Sequence, residues 1–378
     1  MNFLKKKICF FQPHPAYGSV EEYLSIIING LVDLNIYDIT FFCPDSKKAD
    51  KLCRDIKNGP TIIRYPKIEN GIKEIAYFYN HIKKIKPDIV HFNDPALSAM
   101  IAANLAGIRL KIITFHTPTL EVEYNWRGRL AWKMAFSKDL NVVATTDSLK
   151  LVMTRRWNIA GDRITAINYG LNSARLKANL SRDQIRRNLG ISLDKFVLIN
   201  VARLCSQKSQ DVLIRSIRFL PEDLYDKIVL LIAGSGELQA ELKALISELN
   251  LQDKVFLLGH RQDIPNLLSC SDLFVLSSSF EGACFALIEA MALGIPIVAT
   301  DIDGVRDTVV NGKTGILIHA ISPDKLANTI EELYKDSEKR MAFSHAGKKR
   351  FQEEFQSQKM IDSIVRLYNK LMGVPKNV

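Results

Sequence analysis

Apolar and polar positions follow two registers along this chain. Compact apolar runs at Ile8–Phe11, Ile39–Cys43, Ile89–Phe92, Lys111–Phe115, Val142–Thr145 and Ile164–Ile167 are short and read as buried strands. Between them, apolar residues at helical spacing predict helices over Val20–Val32, Ile72–Ile85, Ala96–Ala106, Arg129–Phe136 and Ser148–Trp157. A second series begins at Phe196–Val201 and continues through strands at Val229–Ala233, Val255–Leu258, Asp272–Leu276, Ile297–Ala299 and Ile316–Ile318, with a helix over Leu238–Leu249. From Ser322 to Met372 the pattern is helical. Strand and helix in alternation predict parallel sheets covered on both faces, with ligands at the carboxyl ends of the strands. Two such series in 378 residues predict two domains. The first covers 1–172 and the second 180–356, and a last helix over about 357–372 returns to the first.

The chemistry concentrates at Ser277–Ala292, a loop and helix between two apolar runs. Glu281 sits in the loop and Glu289 lies eight positions on. At about 100° per residue, that spacing places both acids on one side of a helix. Gly282 allows close backbone approach, and the helix N-terminus offers N–H groups to an anion. A carboxylate further along cannot bind phosphate by charge, but it accepts hydrogen bonds from hydroxyls, and a ribose has two. This pattern resembles the E-x7-E signature of retaining glycosyltransferases of family four (glycosyl transferases group 1). The resemblance implies the GT-B fold, two doubly wound Rossmann-like α/β domains facing a cleft. It assigns Glu281 to the donor sugar and Glu289 to the nucleotide ribose.

Other segments extend the likeness. Ala202-Arg203-Leu204-Cys205-Ser206-Gln207-Lys208-Ser209 is similar to the family's V-G-R-L-x-x-x-K-G, with Ala202 and Ser209 in place of glycines. Arg203 and Lys208 follow a strand at fixed spacing, as a leaving diphosphate requires: Arg binds two oxygens at once and Lys adds a point charge. The N–H groups near Ala286 and Leu287 would share that load. Gly234-Ser235-Gly236-Glu237 looks like the family's G-x-G turn, and backbone groups near His260 and Arg261 are implied contacts for the base.

In the first half, Gly18 stands where the family carries a paired glycine that approaches the donor phosphate, and the acid that aligns there is Glu21 or Glu22. Asp88-Ile89-Val90-His91-Phe92-Asn93-Asp94 and Thr114-Phe115-His116-Thr117 are similar to two further family segments. The second implies that His116 enters the cleft and touches donor sugar or acceptor. Asn168-Tyr169-Gly170-Leu171-Asn172 resembles the turn that ends the first domain.

Charge adds a second constraint. The formal net charge is +10. Residues 1–178 hold about 26 Lys+Arg against 16 Asp+Glu, and the remainder is balanced. Such an excess favours an anionic partner: a membrane surface, a nucleic acid or a phosphorylated substrate. Between Tyr124 and Phe136, aromatics alternate with Arg127, Arg129 and Lys133. That is the composition of an interfacial membrane helix and equally of an amphipathic helix covering a sheet. No run is long and apolar enough to span a bilayer, and six scattered cysteines without C-x-x-C argue for reduced thiols in the cytoplasm and against a zinc site.

The function that follows is sugar transfer from a nucleotide diphosphate donor, UDP or GDP, to an acceptor hydroxyl. No cofactor is expected. The acceptor expected is a glycan or lipid-linked glycan of cell-envelope polysaccharide synthesis, reached from the inner face of the plasma membrane. Asp301-Ile302-Asp303 is a D-x-D, but it stands at a helix entry, where Asp303 or the backbone caps; no metal is expected. Rival readings are a nucleotide-sugar epimerase or phosphorylase of the same architecture, and a basic nucleic-acid-binding protein, which leaves Glu281 and Glu289 without a role.

Overall fold

The computed structural model describes residues 5–13, 18–117, 130, 133–136, 139–157, 159–319 and 322–374. The chain forms two compact units. One is Met1–Gly170 with Ser357–Val378, and the other is Leu171–Gln356.

The first unit is built on a seven-stranded parallel sheet: β1 (Lys6–Phe11), β2 (Tyr37–Pro44), β3 (Thr61–Tyr65), β4 (Ile89–Asn93), β5 (Leu110–Phe115), β6 (Leu140–Ala144) and β7 (Ile164–Ala166). Their order is β3-β2-β1-β4-β5-β6-β7. Ile8, Cys9 and Phe10 are fully buried because helices cover both faces, which is why β1 reads as an unbroken apolar run. β3 carries no such run. It is an edge strand with Thr61, Ile62 and Arg64 exposed, and the hydrophobic pattern does not reveal it.

The last helix, Ser357–Met372, lies against Ser19–Leu34 in this unit. Gly30 makes that approach possible: a Cβ there would lie 2.3 Å from Ile361 Cδ1. Tyr368, fully buried on the same helix, has its hydroxyl 2.7 Å from His91 Nδ1.

The second unit has a six-stranded parallel sheet: β8 (Phe196–Val201), β9 (Ile228–Ala233), β10 (Val255–Gly259), β11 (Leu273–Leu276), β12 (Ile297–Thr300) and β13 (Gly315–Ile318). The order is β10-β9-β8-β11-β12-β13. Arg186, almost wholly buried, ties this unit together. It donates to the carbonyls of Cys270, Leu193 and Lys195 and to Asp272, whose carboxylate also accepts the N–H of Val197 in β8. The helical end of the chain is three helices, Pro323–Lys335, Ser337–Glu354 and Ser357–Met372.

In each sheet the order reverses beside the first strand, between β1 and β4 and between β8 and β11. Successive connections leave such a point toward opposite faces, so a crevice opens at the carboxyl ends. The loops that follow these four strands carry Gln12, Asp94, Lys208 and Glu281.

The seat of the last helix is open to test. Gly30→Val forces two methyl groups into Ile361, and overpacking of this kind costs about 1–3 kcal/mol. A lower Tm is expected, partly restored by Ile361→Ala. An unchanged Tm in Gly30→Val would show that the helices do not meet there.

Candidate functional site

In the second unit the loop after β8 and the loop after β11 are joined by an ion pair. Lys208 Nζ lies 2.5 Å from Glu281 Oε1, and both side chains are largely buried. Glu281 also accepts from Ser278 Oγ at 2.5 Å, while Gln207 Nε2 donates to the Phe280 carbonyl at 2.8 Å. Burial opposes the Lys208 charge, but Cys284 and Glu281 support it, and the net pKa lies above the ordinary lysine value. Glu281 engages one of three ammonium N–H groups, which leaves two to meet oxygen.

The cradle around this pair depends on close backbone packing. Gly234 has φ of 151°, and a Cβ on it would lie 1.9 Å from the Ala202 carbonyl oxygen. A Cβ on Gly236 would lie 2.1 Å from that of Leu204. Leu204 N–H donates to Ser235 O at 3.0 Å, so the two glycines press their turn against the Arg203 loop. Arg203 itself is exposed, beside the Cys205 sulfur and then Glu237, which hold its pKa up. On the other side, a Cβ on Gly304 would lie 2.1 Å from the Gly282 carbonyl oxygen.

The helix after Glu281 is Phe285–Leu293, which is shorter than the eight-residue spacing assumes. Residues 281–284 are not helical, and Cys284 is extended at φ −112°, ψ 105°. Glu289 therefore sits on the second turn, half-buried, and the argument that both acids share one helical face does not apply. Ala286 and Leu287 are in the first turn, and no side chain caps it. Their N–H groups face the Cys284 sulfur, a thiol that burial and then Glu281 push up to about 11.

His260 and Arg261 follow β10. His260 is exposed, and the Arg261 guanidinium is fixed by two bonds to Asp263, at 2.8 and 2.7 Å. Asp303 does not cap its helix by its side chain. The cap position is Ile302, and Asp303 is the first helical residue. Both acids of the D-x-D are held by Arg306, Asp301 at 2.5 Å and Asp303 at 3.0 Å. Among the described residues no group of three His, Cys, Asp or Glu side chains gathers as metal ligands do.

In the first unit the residues at the β1/β4 reversal form a directed chain of hydrogen bonds. Gln12 Nε2 donates to Glu21 Oε1 at 2.8 Å, and Asn93 Nδ2 donates to Gln12 Oε1 at 2.5 Å. Asn93 Oδ1 is thus left to accept from His116 Nε2 at 2.8 Å. Burial, then His91, drive His116 down to about 3, so its ring is neutral and Nδ1 accepts from the Tyr169 hydroxyl at 2.7 Å. His116 is buried, with both ring nitrogens engaged.

Gly18 is the N-cap of Ser19–Leu34 in an extended conformation, φ −169°, which any residue adopts. Its N–H is turned to the Glu21 carboxylate. Of the acids left open by the sequence, Glu21 is the one buried in this network; the loop 14–17 before it lies outside the described residues. Gln12, Asp94 and Tyr169 were not singled out from the sequence. A polar residue directly after an apolar strand, as at Gln12 and Asp94, is the signal that identifies two of them. Most of the basic–aromatic segment 124–136 also lies outside the described residues.

Two family models match the chain: glycosyltransferase family 4 over residues 20–175 and glycosyl transferases group 1 over 181–350. The UDP-Gal:α-D-GlcNAc-diphosphoundecaprenol α-1,3-galactosyltransferase of Escherichia coli is 27% identical over 88% of this chain and 89% of its own. The capsular polysaccharide biosynthesis glycosyltransferase CapM of Staphylococcus aureus is 25% identical over 89% and 90%. Among solved structures, Anabaena HepE in complex with UDP-glucose superposes with a TM-score of 0.81, at 20% identity, over 96% of this chain and 99% of that one. A glycosyltransferase of Rickettsia africae gives 0.84, at 20% identity, over the whole of both chains.

The Lys208–Glu281 pair makes a stability prediction. Lys208→Met leaves a buried carboxylate without its cation, at a cost of about 2–5 kcal/mol. Adding Glu281→Gln removes the stranded charge and should recover part of the loss in thermal or urea unfolding. If the double variant is as unstable as the sum of the two singles, the residues are not paired.

Proposed function

The chain belongs to the family-four glycosyltransferases of the GT-B fold, and from that premise we propose that it moves a sugar, with retention of anomeric configuration, from a nucleoside diphosphate to a hydroxyl of a lipid-linked glycan. The observation that carries the reading is the cation–acid pair Lys208–Glu281 at the β8/β11 reversal, beside Arg203 and the first turn of the helix Phe285–Leu293. Arg203 and the two remaining N–H groups of Lys208 take oxygens of the diphosphate. The N–H groups of Ala286 and Leu287 add dipoles where charge develops as the bond to the sugar breaks. Glu281, held by Lys208 and Ser278, accepts a hydroxyl of the donor sugar, and Glu289 accepts those of the ribose. Backbone groups at Gly234, His260 and Arg261 border the base. His116 acts as a positioning residue, holding Asn93 and Gln12.

Retention in this reading proceeds by departure and attack on one face. The acceptor oxygen bonds to the anomeric carbon as the carbon–oxygen bond to the diphosphate breaks. The acceptor proton passes to a diphosphate oxygen. A solved neighbour was crystallised with UDP-glucose, which supports UDP as the nucleotide to try first. Arg306 occupies Asp301 and Asp303, which supports a reaction without a metal at that loop.

Glu289→Gln keeps shape but loses acceptor strength, and should weaken UDP itself about tenfold or more in calorimetry. Glu281→Gln should reduce turnover of the UDP-sugar. Equal UDP affinity in wild type and Glu289→Gln would refute this division. Run in chelator, the turnover assay should give the same rate; activity restored only by manganese would refute the metal-independent reading.

A lipid-linked acceptor is supported by two features. The net positive charge lies in the first half, and two curated relatives are named for undecaprenol-linked substrates. Among the described residues no helix is long and apolar enough to cross a membrane, so the enzyme would meet its acceptor from the cytoplasmic surface as a peripheral protein. Each Lys or Arg at an anionic bilayer contributes about 1 kcal/mol. Sedimentation with anionic vesicles at low salt is expected, weakened by salt and by Arg127→Glu with Lys133→Glu. Protein that stays in the supernatant would rule out the surface attachment and leave the transferase reading standing.

A further inference from the structure

Two cysteines ten residues apart in the sequence meet in the first unit, with Cys43 Sγ 3.4 Å from Cys53 Sγ. Cys43, near the end of β2, is buried, and Cys53, on the helix Asp50–Asp55, is half-buried. Cys9, Cys205, Cys270 and Cys284 are all buried. Cys53 is therefore the thiol that solvent reaches, and a second thiol stands directly behind it. Both belong to the first unit, whereas Lys208 and Glu281 belong to the second.

The segment between the two sulfurs is held at several points, and these fix their separation. Arg64 lies beside Cys43 in the β2–β3 ladder. Its guanidinium meets Asp45 at 3.0 Å and Asp50 at 2.8 Å, and it donates to the Ser46 carbonyl at 2.9 Å. Ser46 Oγ accepts the Ala49 N–H at 3.3 Å. Beyond Cys53, Asn29 donates to the Asp55 carbonyl at 2.8 Å and accepts the Lys57 N–H at 2.7 Å, which ties this end to the helix Ser19–Leu34. The charge of Arg64 acts on both sulfurs and favours a thiolate, the reactive form. Burial, then the hydrogen bond with Cys53, raise the Cys43 thiol well above its ordinary value, so Cys43 keeps its proton.

We infer that Cys43 and Cys53 are a redox-reversible dithiol, a modification site at which a hydroperoxide closes a disulfide between β2 and the helix Asp50–Asp55. The Cys53 thiolate attacks a peroxide oxygen. An S–O bond forms, the O–O bond breaks, and the departing hydroxide leaves as water with the proton that Cys53 gave up. The Cys43 sulfur then attacks the Cys53 sulfenic acid. The S–S bond forms, the S–O bond breaks, and the hydroxyl leaves with the Cys43 proton as a second water. The thiols lose two electrons together and the peroxide gains two; a dithiol reductant reverses the result. A disulfide is about 2.05 Å long, so the sulfurs approach by about 1.4 Å, a shift that side-chain torsions supply. The bond closes a ring over residues 43–53. Pro44, Asp45 and Ser46 in that ring are part of the wall of a cavity of about 590 Å³. Oxidation thus removes open states of the cavity rim.

Hydrogen peroxide in small excess over the reduced full chain tests this, on protein that keeps its near-ultraviolet circular dichroism. Two of the six thiols should be lost and the mass should fall by two hydrogens. Trypsin cuts at Lys47, Lys48 and Lys51, between the two cysteines, so their peptides should stay joined until dithiothreitol separates them. Cys43→Ser should give a Cys53 sulfenic acid that dimedone traps, and no joined peptides. Cys53→Ser should leave its remaining thiols free at the same dose. Hydrogen exchange of the amides over 44–52 should slow about tenfold or more on oxidation. Oxidation that stops at a sulfenic acid in the wild type, or a disulfide between other cysteines or between two chains, would overturn the inference. Unchanged exchange over 44–52 in the disulfide form would overturn the tie to the cavity rim.

Discussion

Everything chemical in this protein depends on where two sheets reverse their strand order. Next to β1 and next to β8, consecutive connections part toward opposite faces and leave the carboxyl ends of the strands uncovered. The polar side chains at those ends have no choice but to satisfy one another. In the second unit they do so as an ion pair, Lys208 with Glu281. In the first they do so as a directed line of hydrogen bonds from Tyr169 through His116, Asn93 and Gln12 to Glu21.

The two solutions differ in electrostatics. The Lys208 loop keeps cationic N–H groups beside the start of a helix, an arrangement selective for negative charge. The Asp94 corner gathers two carboxyls beside histidines that burial holds neutral. Glycine makes the first possible by steric necessity: Gly234, Gly236 and Gly304 admit neighbouring carbonyls at distances no Cβ would allow. The relatives and the family models agree with a glycosyltransferase of this fold.

The sequence revealed the strands best where burial on both faces wrote an unbroken apolar run, as in β1, β4 and β8. It failed at β3, whose exposed edge position leaves Thr61, Ile62 and Arg64 without a pattern. Lys208 and Glu281 stood out because their residue types and spacing carry chemistry. The relation of Glu281 to Glu289 was misread, since helical periodicity was extended over residues 281–284, which precede the helix. The cap was left to Asp303 or the backbone beside it, and Ile302 holds that position, because a D-x-D does not say where the first turn begins. Asp94 was marked in the sequence by its place after an apolar strand and by nothing more. Its significance lies in a backbone angle and in the approach of Glu21 from a distant helix, and neither is written locally.

The central claim is a sugar transfer that keeps configuration on a cradle built around Lys208 and Glu281. Proton NMR of the glycoside formed from an α-linked UDP-sugar measures this directly. The account predicts an α-linked product, with its formation abolished in Lys208→Ala. A β-linked product, or an α-linked product formed at the wild-type rate by Lys208→Ala, would contradict it.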